Sequence, residues 1–129
     1  MPDDGDEQEL YLDSDSILIM GTDGLFDNMF DHEITVEVNE TFHVKPSNNF
    51  KPAISSHDTT AVKMQHLAER LAKKSRSLSK NRKRLHTPFS AAARANGFNF
   101  LGGKVDDVTT IAACLHSPNQ SPFTVEARL

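Results

Sequence analysis

A single cysteine, Cys114, stands among the 129 residues, so the chain can form no intrachain disulfide and no cysteine-rich zinc site. That suits a reducing compartment, and a lone cysteine in an apolar strand reads as a small buried residue. Long hydrophobic runs are missing too. Runs such as Ile17-Leu18-Ile19-Met20 and Ile111 to Leu115 are far short of a membrane span. The opening Met-Pro-Asp-Asp-Gly-Asp-Glu is acidic where a signal or transit peptide is basic, so no targeting segment is read there. Basic charge is not in excess: the formal net charge of −4 argues against nucleic-acid binding by the chain as a whole, because neutralising phosphates requires surplus Lys and Arg. No internal repeat or heptad is visible. What is there, 37% hydrophobic and 25% charged residues, is ordinary for a soluble protein of one domain with some long polar loops.

Along the chain, residues 1–9 read as a flexible acidic N-terminus. Leu10-Tyr11-Leu12, the turn-forming Asp13-Ser14-Asp15-Ser16 and Ile17 to Met20 read as strand, tight turn, strand, which is a hairpin. The second strand is apolar at consecutive positions, so both of its faces are expected to be covered. Asp31 offers an N-cap before an acidic first turn, yet Ile34, Val36 and Val38 alternate and are β-branched, which favours a strand locally; 34–42 stays open between helix and strand. Residues 43–60, with Pro46 and Pro52, read as an exposed, disordered loop insertion. From about Thr60, Met64, Leu67, Ala68, Leu71, Ala72 and Leu78 recur at helical spacing and predict an amphipathic helix. Thr87-Pro88 supplies an N-cap and a first-turn proline, and Gly97 a left-handed C-terminal cap, bracketing a short alanine-rich helix. Gly102-Gly103 then breaks the chain, Val108 to Leu115 reads as a second apolar strand, and 117–129 as a loose tail.

The residues that carry chemistry lie at the strand ends. Asp23 follows one apolar strand and Asp106-Asp107 precede the other. If the two strands are antiparallel neighbours, the acidic ends meet at one rim of the sheet. Carboxylates without nearby His or Cys are oxygen-only donors, suited to a hard cation such as Mg²⁺ or Mn²⁺ rather than zinc. Alternation along a strand sends Asp106 and Asp107 to opposite sides, so only one of them faces a shared metal. Taken alone, Asp-Gly and Asp-Asp beside strands are as readily turn and cap chemistry.

The surrounding text adds weight. Gly-Thr-Asp-Gly-Leu-Phe-Asp-Asn at 21–28 and Gly-Gly-Lys-Val-Asp-Asp-Val-Thr at 102–109 closely resemble, in the same order, late motifs of the PPM (type 2C) protein phosphatases. The stretch from Thr87-Pro88-Phe89 to Gly97 resembles the mitochondrial and chloroplast-associated branch of that family. The resemblance covers residues 10–116 and implies an α+β fold: the C-terminal part of the α/β/β/α sandwich, with antiparallel strands and amphipathic helices on one face. It implies that Asp23 and Asp106 are metal ligands, that Gly24 keeps the turn tight, and that Asp107 stands where many members have Asn. It also implies a helix after Asn28, against the local strand reading of 34–38. The implied activity is hydrolysis of phosphoserine and phosphothreonine on proteins at a site with two Mg²⁺ or Mn²⁺ ions. The implied partner is a phosphorylated protein, in an intracellular setting that the branch makes mitochondrial or chloroplast.

One departure matters. The early Asp-Gly-x-x-Gly motif and the upstream phosphate-binding Arg are absent, since the only Asp-Gly pairs are Asp4-Gly5 and Asp23-Gly24 and neither has the following Gly. Little or no activity is therefore expected from this chain alone, and the alternative is an inactive fragment or a pseudophosphatase-like protein-binding module. Two other readings fail. A haloacid-dehalogenase-type nucleophile would fall on Gly21, and the sixth-position glycine of a calcium loop would fall on Asn28. The basic run Lys73-Lys74, Arg76, Lys80, Arg82-Lys83-Arg84 reads first as the solvated side of the amphipathic helix, with a nuclear-localisation or nucleic-acid patch the lesser reading.

Overall fold

The computed structural model describes residues 7–43, 56–115 and 123–128. In chain order these form β1 (Glu7–Leu12), β2 (Ile17–Gly21), α1 (Asp23–Phe26), α2 (Asp31–His43), α3 (Ser56–Ser79), α4 (Pro88–Ala95), β3 (Thr110–Cys114) and β4 (Phe123–Arg128). They fall into two compact units, 19–112 and the two chain ends, 1–18 with 113–129.

In the unit of the chain ends, β1 pairs antiparallel with β4, from Glu7 opposite Arg128 to Leu12 opposite Phe123. This corrects two expectations. The segment 117–129 is not a loose tail throughout, because 123–128 is a strand whose backbone groups are satisfied by β1, and Glu7 to Glu9 belong to that ladder rather than to a flexible terminus. The predicted hairpin does not form either: β1 takes β4 as its partner and β2 takes β3. The turn itself is present, with the Ser16 N–H on the Asp13 carbonyl at 3.2 Å and Asp15 in the left-handed region at φ 67°.

The β2–β3 pairing is antiparallel. The Thr22 N–H donates to the Thr109 carbonyl at 3.1 Å, and further along the Leu115 N–H donates to Ser16 at 2.9 Å. The helices cover one side of this pair: the Thr110 hydroxyl donates to the Ala68 carbonyl of α3 at 2.7 Å, and Gly21 lies against the Leu25 side chain. The other side is open at one residue pair. The same register sets Met20 opposite Ile111, and they are 47% and 56% exposed. The expectation that both faces of β2 are covered is thus corrected at Met20, while Ile17, Leu18 and Ile19 are half-buried.

In the unit 19–112 the core is Leu25, Met29, Ile34, Met64, Leu67 and Leu71, contributed by α1, the turn after it, α2 and α3. Helix α3 starts ahead of the expected Thr60. Residues 44–55 of the predicted loop lie outside the described residues. Its buried stripe Met64, Leu67, Leu71 continues through Ser75 and Ser79, whose small size lets other backbone approach.

Helix α2 settles the open segment and corrects the local strand reading of 34–38. The Glu33 carboxylate accepts the Phe30 N–H at 2.9 Å, so Phe30 and not Asp31 occupies the capping position. The Thr35 and Thr41 hydroxyls bond back one turn to Asp31 and Glu37. Ile34, Glu37 and Thr41 are buried at helical spacing while Val36 is exposed, so the alternation of β-branched residues carried no information about faces. Glu37 is buried with its charge matched by Arg70 of α3 at 2.6 Å and by Lys74 at 3.4 Å, and Arg70 also binds Glu40. Thr87 caps α4 as predicted, with Pro88 in the first turn, a reciprocal Thr87–Ser90 capping box and Gly97 at φ 82°. Among the described residues no helix is long and apolar enough to cross a membrane.

Candidate functional site

Strand β2 ends at Gly21, Thr22 is extended, and the chain turns at once into α1, whose first residue is Asp23. Facing it is the segment 104–109 that leads into β3. Side-chain to backbone bonds clamp the two together. The fully buried Asn28 accepts the Lys104 N–H at 3.0 Å and donates to the Lys104 carbonyl at 2.8 Å and the Gly24 carbonyl at 2.9 Å. The buried Ser75 hydroxyl of α3 donates to the same Gly24 carbonyl at 2.6 Å. Thr22 donates its hydroxyl to the Asp107 carbonyl and accepts the Thr109 N–H, both at 3.1 Å. The backbones run so close that any Cβ on Gly24 would collide with the Asp107 carbonyl, which is the physical reason for glycine there.

This clamp brings the predicted carboxylates together. The Lys104 ammonium lies 3.3 Å from Asp23 Oδ2, 3.3 Å from Asp106 Oδ2 and 3.6 Å from Asp27 Oδ2. Asp106 spends its other oxygen on the Asp107 N–H at 2.9 Å. That backbone bond first, and the Lys104 ammonium second, hold its carboxyl below the ordinary range. Hydrogen bonds to Asp106 and then to Asp23 raise the Lys104 ammonium above its ordinary value.

Asp107 shows no contact with this cation, so one of the two neighbouring carboxylates faces the cluster, though not for the expected reason. Strand β3 begins only at Thr110, and Asp106 is aimed by its bond to the next N–H rather than by strand alternation.

Three residues of this arrangement were not singled out from the sequence. Asp27 is one helical turn beyond Asp23 and hence on its face, a spacing that was available to read. Lys104 is the one base within an acidic motif. The role of Asn28 needs the fold, because its partner is 76 positions away.

The donor set suits a hard cation: the oxygens of Asp23 and Asp106 converge on a positive charge, here the lysine's own. Among the described residues no group of three or more Asp, Glu, His or Cys side chains is placed to hold a metal.

The α+β arrangement, with carboxylates at the rim of an antiparallel strand pair and helices against one face, is shared by a solved phosphatase structure. The X-ray structure of the photosystem II phosphatase PBCP superposes with a TM-score of 0.56 at 27% identity, covering 81% of this chain and 37% of that one. Among curated proteins, the probable protein phosphatase 2C 55 of Arabidopsis thaliana is 35% identical over 113 residues, 88% of this chain and 21% of that protein. The human protein phosphatase PTC7 homolog is 34% identical over 110 residues, 85% of this chain and 31% of that protein. No protein-family model matches the sequence. The chain is therefore a homologue of the type 2C protein phosphatases, the PTC7 type among them, and it fits their C-terminal part. It spans from about a fifth to a third of the length of the curated relatives it matches.

Proposed function

We propose that this chain contributes to a metal-dependent protein-serine/threonine phosphatase, with Asp23 and Asp106 as ligands of a hard divalent cation, Mg²⁺ or Mn²⁺, in a site of two ions. The observation that carries the reading is the convergence of Asp23 Oδ2 and Asp106 Oδ2 on one ammonium, each at 3.3 Å. When bound, such ions polarise the attacking water and the phosphoryl oxygens. The chain's own residues hold and orient. Thr22, Gly24 and Asn28 lock the two carboxylate-bearing segments in register, and Ser75 anchors that register to α3. Asp107 supports through its backbone, its N–H aiming Asp106 and its carbonyl receiving Thr22.

Two carboxylates leave most of an octahedral shell to water, so binding by these residues alone is weak and the site incomplete. A second reading is a protein-binding module without activity of its own. Manganese titration followed by electron paramagnetic resonance separates them. Binding by the wild-type chain that disappears in both Asp23→Asn and Asp106→Asn supports the metal reading, and unchanged binding in the two variants removes its basis. With p-nitrophenyl phosphate and Mn²⁺, little or no turnover is expected from the chain alone. An organellar setting, mitochondrial or chloroplast, is proposed on resemblance, with the photosystem II phosphatase as the supporting neighbour. Imaging a fluorescent fusion of the complete coding sequence tests it.

A further inference from the structure

A groove of about 820 Å³ opens beside the carboxylate cluster. One wall is the end of α3, which presents Lys73 and Arg76, with Lys80 just past its last residue; the other is the segment that carries Asp106, Asp107 and Thr109. Asp106 thus belongs to both places, reaching Lys104 within the cluster and lining the groove beside it. Lys73 and Arg76 are three residues apart on one side of the helix and Lys80 follows at its end, and all three line the groove. Lys73 lies 3.9 Å from Glu69, whereas Arg76 and Lys80 form no ion pair among the described residues and are exposed. Two unneutralised cations on one wall of a groove, in a chain of net charge −4, are a local feature and not a reflection of overall composition.

We infer that Arg76 and Lys80 select acidic residues flanking the phosphoserine or phosphothreonine of a protein substrate, with the substrate lying along α3. The inference rests on the phosphatase reading for its geometry, since a phosphoryl group at the Asp23–Asp106 rim leaves the adjoining peptide beside the helix wall. Arg and Lys on an exposed wall act at the rim of a complex, where charge complementarity governs partner choice and salt weakens it. A basic side chain of this kind favours a carboxylate over a neutral side chain without demanding one backbone geometry.

The test uses the whole chain and three labelled probes read by fluorescence anisotropy: a phosphoserine peptide flanked by Glu, the same peptide flanked by Ala, and a single-stranded RNA oligonucleotide. The Glu-flanked peptide is expected to bind most tightly at low salt and to lose about tenfold in affinity in Arg76→Glu/Lys80→Glu, with Arg76→Lys/Lys80→Arg retaining it. Circular dichroism and the urea midpoint of each variant show that its fold is kept. Equal affinity for the Glu- and Ala-flanked peptides, an unaffected charge-reversal variant, or tighter binding of the RNA each overturns the assignment. The manganese titration distinguishes the two readings. A flank preference that persists while Asp23→Asn and Asp106→Asn leave metal binding untouched supports the groove and sinks the metal site alone, and normal metal behaviour without the preference sinks the groove alone.

Discussion

Lys104 places its ammonium where the carboxylates of Asp23, Asp27 and Asp106 meet. A tethered cation at that point relieves the mutual repulsion of the acids and competes with any divalent ion for the same oxygens. Lys104→Met should therefore tighten Mn²⁺ binding severalfold, measured by isothermal titration calorimetry, while Lys104→Arg stays close to the wild type; weaker binding by the methionine variant would show that the lysine supports the metal instead. Asn28 has the opposite character. It is a fully buried amide whose three hydrogen bonds join segments far apart in the chain. Asn28→Ala leaves the Lys104 backbone N–H and two carbonyls without this partner, a loss of about 2–3 kcal/mol, read as a lower urea midpoint. A variant as stable as the wild type would mean that water replaces the amide at no cost.

Among the described residues, helix α2 is joined to the chain beyond α3 by an ion pair of good geometry. Arg84 reaches Glu33 through two parallel hydrogen bonds, both 2.7 Å, and both side chains are largely buried. Burial works to raise the Glu33 carboxyl, and the Arg84 hydrogen bonds with the Phe30 N–H outweigh it, leaving the group below its ordinary value of 4.5. A carboxyl held lower in the folded than in the unfolded chain adds stability at pH above 4.5, and that stability is lost as pH falls through the folded value. Glu33→Gln is expected to cost about 1–2 kcal/mol at neutral pH and to flatten the fall in stability below pH 4.5, followed by urea unfolding across that range. An identical acid response in wild type and variant would refute the pairing as its source. Helix α2 also shows how propensity yields to context. Its β-branched residues favour a strand, but the Phe30–Glu33 cap and the salt-bridged face toward α3 outweigh a preference of a few tenths of a kcal/mol per residue.

The open Met20–Ile111 pair of the β2–β3 ladder has a consequence for the molecule as a whole. Exposed apolar strand surface drives association, because removing it from water is favourable at about 25 cal/mol per Å². The chain is expected to self-associate with rising concentration in sedimentation velocity, and Met20→Lys/Ile111→Lys to shift it toward monomer. A wild type that stays monomeric throughout would show that this surface is not adhesive.

How much was legible depended on the range of the interaction. Local rules sufficed for the Thr87–Pro88 cap, the Gly97 stop, the amphipathic stripe of α3 and the two motifs bearing Asp23 and Asp106, since each is written within a few consecutive residues. Strand partners were not written that way. The Asp13–Ser16 turn is present, yet β1 joined β4 and β2 joined β3, because pairing is settled by comparing distant surfaces and not by the turn between neighbours. The candidate site divides likewise. Its carboxylates are visible as residues, whereas the lysine between them and the asparagine clamp acquire meaning only when segments 76 and 81 positions apart are brought within hydrogen-bond distance, and the basic wall only when the end of α3 faces 105–109 across a groove.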